Sequence, residues 1–350
     1  MATPQFWRIL VCLASCTPAI TCPLAAQTES ATAEAPAFAL QRLFGEALAQ
    51  QTGMAFLRAL TEDVGARPAG SAAYARAADL AADTLAALGL AVQRQPVTVQ
   101  PWDGTGHASA TAFLPDGTRL PLRVVALGGS RAAARGEVSA PVVELHSLDE
   151  ADSLGAAGGL AGKIAFFNRP LDAARVNPFD AYGAAVDQRV YGPARAAAHG
   201  AVAALVRSMT PAVDDVPHTG ITVFADSAEA VPALALSTRD AEALAAALAA
   251  AAGSPVEVAL TGPGRYGAPA TDDNVIADWR GTQLPDSLIL VGAHLDSWHV
   301  GQGAHDDGAG VAHVIEAVRL LRAAGFSPRH TVRVVLFANE EGGVDGGRAY

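Results

Sequence analysis

The sequence predicts an α/β protein with a mostly parallel-sheet domain and a β-rich segment upstream of its strand-helix-strand unit. Three observations predict it. From Asp273 onward the pattern is strand, helix, strand. Upstream, residues 105–268 hold short β-type runs separated by Gly, Pro and Asp turns. The chain has 350 residues, 51% apolar and only 17% charged, enough for about two buried cores.

The formal charge of −11 argues against nucleic acid or an anionic membrane surface as partner. Residues 1–26 read as a signal peptide. A short cationic start precedes an interrupted apolar run, and Leu24-Ala25-Ala26 offers small residues for cleavage. The run is too short to span a membrane, and no other segment is long and apolar enough. The protein is therefore expected to be exported, to the periplasm or beyond. Leu13-Ala14-Ser15-Cys16 also has the shape of a lipid-attachment box, so an anchor at Cys16 is the alternative. Cys12, Cys16 and Cys22 all fall in this segment. The body has no disulfide framework, no thiol nucleophile and no thiolate metal ligand. A metal there must use His and carboxylates.

Taken in order, residues 27–104 hold a polar leader and the first elements of the main domain. Residues 40–60 carry apolar residues at helical spacing. Residues 61–71 are a Gly/Pro loop ending on Ser71, placed as an N-cap. Tyr74, Ala77, Ala78, Ala81, Leu85 and Leu88 form the stripe of the next helix, and Gly89 ends it. Residues 92–99 read as a strand. Within residues 105–268, residues 122–127, 142–145, 163–167 and 203–206 read as strands, and residues 193–199 as a helix. Residues 241–252, nearly pure Ala and Leu, read as a helix, since alanine has the best helix propensity. In residues 269–350, the apolar runs 288–293 and 331–338 read as parallel strands buried on both faces. Helix 310–324 crosses between them and is stopped by Gly325 and Pro328. Ligands in such sheets sit beyond the C-terminal strand ends.

Three motifs fall there. His294-Leu295-Asp296 ends the first strand, and a period of two points His294 and Asp296 the same way. His294 can ligate a metal while Asp296 holds its other N–H. Gly303-Ala304-His305-Asp306-Asp307-Gly308 precedes the helix. Asp306 can bridge two metal ions and Asp307 support the turn, with His305 a weaker ligand candidate. Asn339-Glu340-Glu341 ends the second strand, where one glutamate can ligate and the other take a proton from water. Singly, each has a plainer explanation: a hydrogen-bonded His, helix-capping carboxylates, a solvated glutamate turn. Their convergence on one β-α-β unit in a cysteine-free body favours a site, and N/O ligands suit zinc.

With these residues in view, the sequence resembles the carboxypeptidase Q family of the two-zinc aminopeptidase and transferrin-receptor-like superfamily. The resemblance rests on His294-Leu295-Asp296-Ser297-Trp298, Gly301-Gln302-Gly303-Ala304, Asp306-Asp307-Gly308 and Glu340-Glu341-Gly342-Gly343. Val64-Gly65-Ala66-Arg67-Pro68, Gly162-Lys163-Ile164 and Pro217-His218-Thr219-Gly220 extend it. It implies that His294 and Glu341 each ligate one of two zinc ions. Asp306, before a cis peptide to Asp307, bridges them. Glu340 is the general base for a metal-bridging water, and Asp296 orients the ligating His. It also implies that residues 105–268 are a protease-associated insert. Dipeptides or short peptides with a free N-terminus are the implied substrates, and a homodimer the implied assembly.

His299 departs from the family pattern, which has an acid after the Trp, and puts local rim contacts in question. The family also needs an Asp and a His further along. Residues 269–350 are therefore expected to be the first part of a truncated metal-binding core, and the 350 residues an inactive fragment. The rival readings are a non-catalytic receptor or scaffold of the same fold, and a single-metal hydrolase.

Overall fold

The computed structural model describes residues 36–226 and 229–350. Residues 1–26, expected as a signal peptide, with the three cysteines and the anchor alternative at Cys16, lie outside the described residues. The described chain is mixed α/β, built on two main sheets. A four-stranded sheet has the order Ala91–Val99, Ala270–Trp279, His330–Phe337, Leu284–His294. An eight-stranded sheet draws its strands from Ser109–Phe113 through Glu257–Thr261.

The four-stranded sheet is mixed rather than mostly parallel. Only Leu284–His294 and His330–Phe337 run parallel; the other two pairings are antiparallel. The apolar run at 288–293 is also not buried on both faces as expected. It forms the sheet edge, where Leu288, Ile289 and Leu290 are about half exposed (46%, 51% and 45%). An apolar run alone cannot tell a central strand from an uncovered edge.

Helix Ala72–Ala87 shows how the sequence sets its own limits. Ser71 Oγ accepts the Tyr74 N–H at 3.1 Å, supplying the N-cap. At the far end Gly89 takes φ 77°, and the Leu90 N–H reaches the Leu85 carbonyl at 3.2 Å. The stripe Tyr74, Ala77, Ala78, Ala81 and Leu85 is buried against the sheet. Helix Gly310–Ala323 packs Val311, Ile315 and Val318 into the same core. Each such aliphatic side chain, fully buried, contributes roughly 1.5–3 kcal/mol. The single helix expected over residues 40–60 is two, Pro36–Ala49 and Thr52–Arg58, followed by a π-helical turn at Ala59–Val64.

The eight-stranded sheet is more α/β than the β-rich reading anticipates. Its centre is parallel, through Val138–Leu145, Ile164–Phe167, Ala203–Arg207 and Ala233–Leu236. Both faces are covered: Ile164 and Phe166 enter one apolar cluster, Ala165 and Phe167 the other. Helices Leu148–Ala156 and Gly192–Ala198 pack on one face through Ala151 and Ala196. Helix Thr238–Ala250 packs on the other through Ala241 and Leu244. Residues 122–127, expected as one strand, divide into Arg119–Leu122 and Val124–Ala126 at opposite edges of the sheet.

Candidate active site

The parallel pair places the motifs. His294 stands level with Phe337, so both strands end at one height. Beyond them the chain supplies Asp296, then Asn339, Glu340 and Glu341. The turn Ala304–Ala309 brings Asp306 and Asp307 to the start of helix Gly310–Ala323. The bond between Asp306 and Asp307 is cis.

Nε2 of His294 lies 2.9 Å from the Asp306 carboxylate and 3.9 Å from that of Glu340. Nδ1 lies 3.1 Å from the Asp296 carbonyl oxygen and 3.5 Å from its carboxylate. Ligand atoms of His294, Asp306 and Glu341 all fall within 4.8 Å of one another. His305 is exposed and lies outside this group.

The charge balance of the cluster fits a cation. Burial alone would lower the His294 pKa, yet hydrogen bonds to Asp296 and Asp306 push it up to about 11. Burial, with Asp306 adding to it, pushes Glu341 up to about 8. Its Oε1 is buried without a hydrogen-bond partner among the described residues. Burial also raises Glu340, against the pull of His294, whereas the His294 hydrogen bond holds Asp306 low. Glu341 and His294 thus hold protons where a metal would place its charge. An orphaned buried carboxylate oxygen beside an imidazole nitrogen is a donor set that fits zinc.

Other side chains hold these groups in place. Asp296, only 1% exposed, turns its carboxylate to the backbone N–H groups of Glu340 and Glu341, at 2.9 and 3.1 Å. Asp307 accepts the Gly310 N–H at 3.0 Å and the His294 N–H at 3.2 Å, joining helix start to strand end. Arg67 is fully buried and donates to the carbonyls of Leu295, Gln302 and Gly303 at 2.5, 2.8 and 2.9 Å. A side chain at Gly303, whose φ is 57°, would collide with Ser297 and Arg67. Asn274 accepts the Ala338 N–H at 2.8 Å and donates to the Gly346 carbonyl at 2.9 Å. Sequence reasoning gave no role to Arg67 or Asn274. The only signal in the sequence is that Arg67 lies in Val64-Gly65-Ala66-Arg67-Pro68. At the rim, His299 packs edge-on to Trp102 and Trp298, with ring centroids 5.2 and 6.5 Å away. Burial lowers its pKa, opposed by Asp103.

The cluster opens into a cleft of about 1060 Å³. One wall carries His294, Asp306, Glu340 and Glu341. The other comes from connections of the eight-stranded sheet, including Tyr182, Arg189 and His218.

Residues 274–350 match Peptidase family M28. Carboxypeptidase Q of Bos taurus is 33% identical over 304 residues, covering 86% of this chain and 61% of that protein. The chain thus spans about three fifths of the length of such curated relatives. A Peptidase M28 precursor from Shewanella amazonensis superposes with a TM-score of 0.83 at 37% identity, covering 90% of this chain and 69% of that one. A zinc aminopeptidase from Bacillus subtilis shares the fold, with a TM-score of 0.55 at 22% identity over 84% of this chain and 62% of that one.

Proposed function

The chain belongs to peptidase family M28, and from that premise we propose that it serves a zinc-dependent exopeptidase acting on dipeptides or short peptides with a free N-terminus. The observation that carries the proposal is the meeting of His294, Asp306 and Glu341 ligand atoms within 4.8 Å, in the lining of a cleft. His294 and Glu341 would each hold one of two zinc ions, and Asp306 would be shared. Bound zinc would supply Lewis acidity toward a peptide carbonyl and water.

The remaining steps belong to the chain. Glu340 has a half-exposed side chain and a raised pKa, which suits a group that takes a proton from water and returns it to the leaving amine. Asp296 fixes the direction of Glu340 and Glu341 through their N–H groups and steadies the His294 ring. The unit built on the eight-stranded sheet, proposed as the protease-associated insert, contributes the second wall of the cleft. Export and a homodimer remain part of the proposal. No helix among the described residues is long and apolar enough to cross a membrane.

Catalytic zinc normally has three protein ligands. Two ions sharing Asp306 would each have two among His294, Asp306 and Glu341. We therefore expect these 350 residues alone to hold zinc weakly and to turn over little without added metal. The test is dipeptide hydrolysis in excess zinc and in chelator, for the wild type and Glu340→Gln. Zinc-dependent hydrolysis that falls about 10²–10⁴-fold in the variant, at equal metal content, supports the proposal. Zinc-independent hydrolysis, or equal rates in the two proteins, contradicts it. A scaffold role would leave zinc-loaded protein inert.

A further inference from the structure

We propose that Arg189 binds a carboxylate of the peptide substrate on the cleft wall facing the metal-binding cluster. This deepens the peptidase reading and rests on it. Three arginines line the cleft. Arg175 lies 3.4 Å from Asp172 and Arg348 lies 3.5 Å from Asp345, so both have carboxylate partners. Arg189 has none within 4.0 Å among the described residues. Its Nη2 donates to the Tyr182 hydroxyl at 2.5 Å, and its guanidinium carbon sits 5.6 Å from the centroid of that ring. Its Nε is buried without a hydrogen-bond partner among the described residues.

The place is built for the guanidinium. Gly220, at φ 155°, lies against it, and a Cβ there would collide with the guanidinium carbon and Nε. The Val223 N–H donates to the Val190 carbonyl at 2.9 Å, and the Thr219 hydroxyl to the Ala126 carbonyl at 2.7 Å. The segments on either side of the guanidinium are thus tied down. A guanidinium with no carboxylate partner among the described residues suits a charge-assisted pair with a substrate carboxylate. The opposite wall is acidic, through Asp306, Glu340 and Glu341. A short peptide with a cationic amine at one end and an anionic carboxylate at the other matches that polarity. The carboxylate can be the C-terminal one or an acidic side chain.

The test is calorimetric binding of Ala-Ala, Ala-Ala amide and Ala-Glu amide to the 350-residue chain. A neutral chelator such as phenanthroline prevents turnover. Wild type should bind Ala-Ala about tenfold or more tighter than Ala-Ala amide, the range of a charge-assisted hydrogen bond. Arg189→Gln should bring that ratio close to one and leave the amide's affinity unchanged. Arg189→Lys should retain part of the preference, and it carries the test if the Gln variant does not fold. Ala-Glu amide binding as tightly as Ala-Ala assigns the pocket to a side-chain carboxylate; binding like Ala-Ala amide assigns it to the C-terminus. No measurable binding, equal affinity for Ala-Ala and both amides in the wild type, or an intact preference in the variants overturns the assignment. The same proteins are assayed for hydrolysis in zinc. Zinc-dependent hydrolysis with an unchanged acid preference in Arg189→Gln defeats only this inference. Binding as predicted upholds the carboxylate site whether or not hydrolysis is seen, and the comparison with Glu340→Gln tests the peptidase reading separately.

Discussion

The carboxylate of Asp296 accepts the Glu341 N–H through one oxygen, at 3.1 Å, while its other oxygen takes the neighbouring Glu340 N–H at 2.9 Å. One buried side chain therefore fixes both glutamates, the proposed ligand and the proposed base. Asp296→Asn exchanges an acceptor for a donor facing an N–H. The expected result is a loss of about 1–3 kcal/mol in urea unfolding and weaker zinc binding by about 10–100-fold. Unchanged values in both would show that the clamp does not matter.

Arg67 sustains the loop that carries Asp306. It is buried among the carbonyls of Leu295, Gln302 and Gly303, and Lys cannot reproduce its fork. Arg67→Lys should cost on the order of 3 kcal/mol, from lost charge-assisted bonds and carbonyls left without donors. Guanidinium unfolding measures it; a change below about 0.5 kcal/mol, as for an ordinary surface substitution, would contradict the prediction.

Asp272 gives a pH dependence away from the proposed ligands. Burial raises it from 3.8 to about 6, although its hydrogen bond from the Gly70 N–H opposes the shift. The folded state thus binds this proton more tightly than the unfolded one. Its contribution favours folding most below about pH 4 and is lost as pH rises through about 6. Asp272→Asn should remove this slope, so wild type loses stability relative to the variant between about pH 4 and 7. Parallel thermal unfolding curves across that range would contradict it.

Among the described residues, the exposed edge at Leu288, Ile289 and Leu290 has no further strand beside it and presents backbone groups next to apolar side chains. The 350-residue chain should self-associate through it at micromolar concentration. Ile289→Lys should reduce that association in sedimentation velocity without lowering the unfolding midpoint. Identical sedimentation of the two proteins would rule this edge out.

Much of the site was legible because its chemistry sits in short runs at strand ends. His294, Asp306 and Glu341 are near in space because two parallel strands end level, which a β-α-β pattern imposes. The Ser71 cap and the Gly89 stop were legible because those residues act locally. Strand order was not. Ala91–Val99 pairs antiparallel with Ala270–Trp279 across the whole eight-stranded unit, and no local pattern encodes a partner so distant. The service of Asp296 to the glutamate N–H groups was hidden for the same reason, since it joins residues 44 and 45 positions apart. Arg67 reads in sequence as a loop cation, and only burial against residues more than 200 positions away shows its work.

The most direct measurement is a zinc titration of the 350-residue chain against a chromophoric competitor, beside His294→Ala, Asp306→Asn, Glu341→Gln and Glu340→Gln. The account predicts saturable binding by wild type, about tenfold or weaker binding in each of the first three, as expected when a ligand is lost, and wild-type affinity in Glu340→Gln. Equal affinity in all five proteins, or a loss confined to Glu340→Gln, would contradict it.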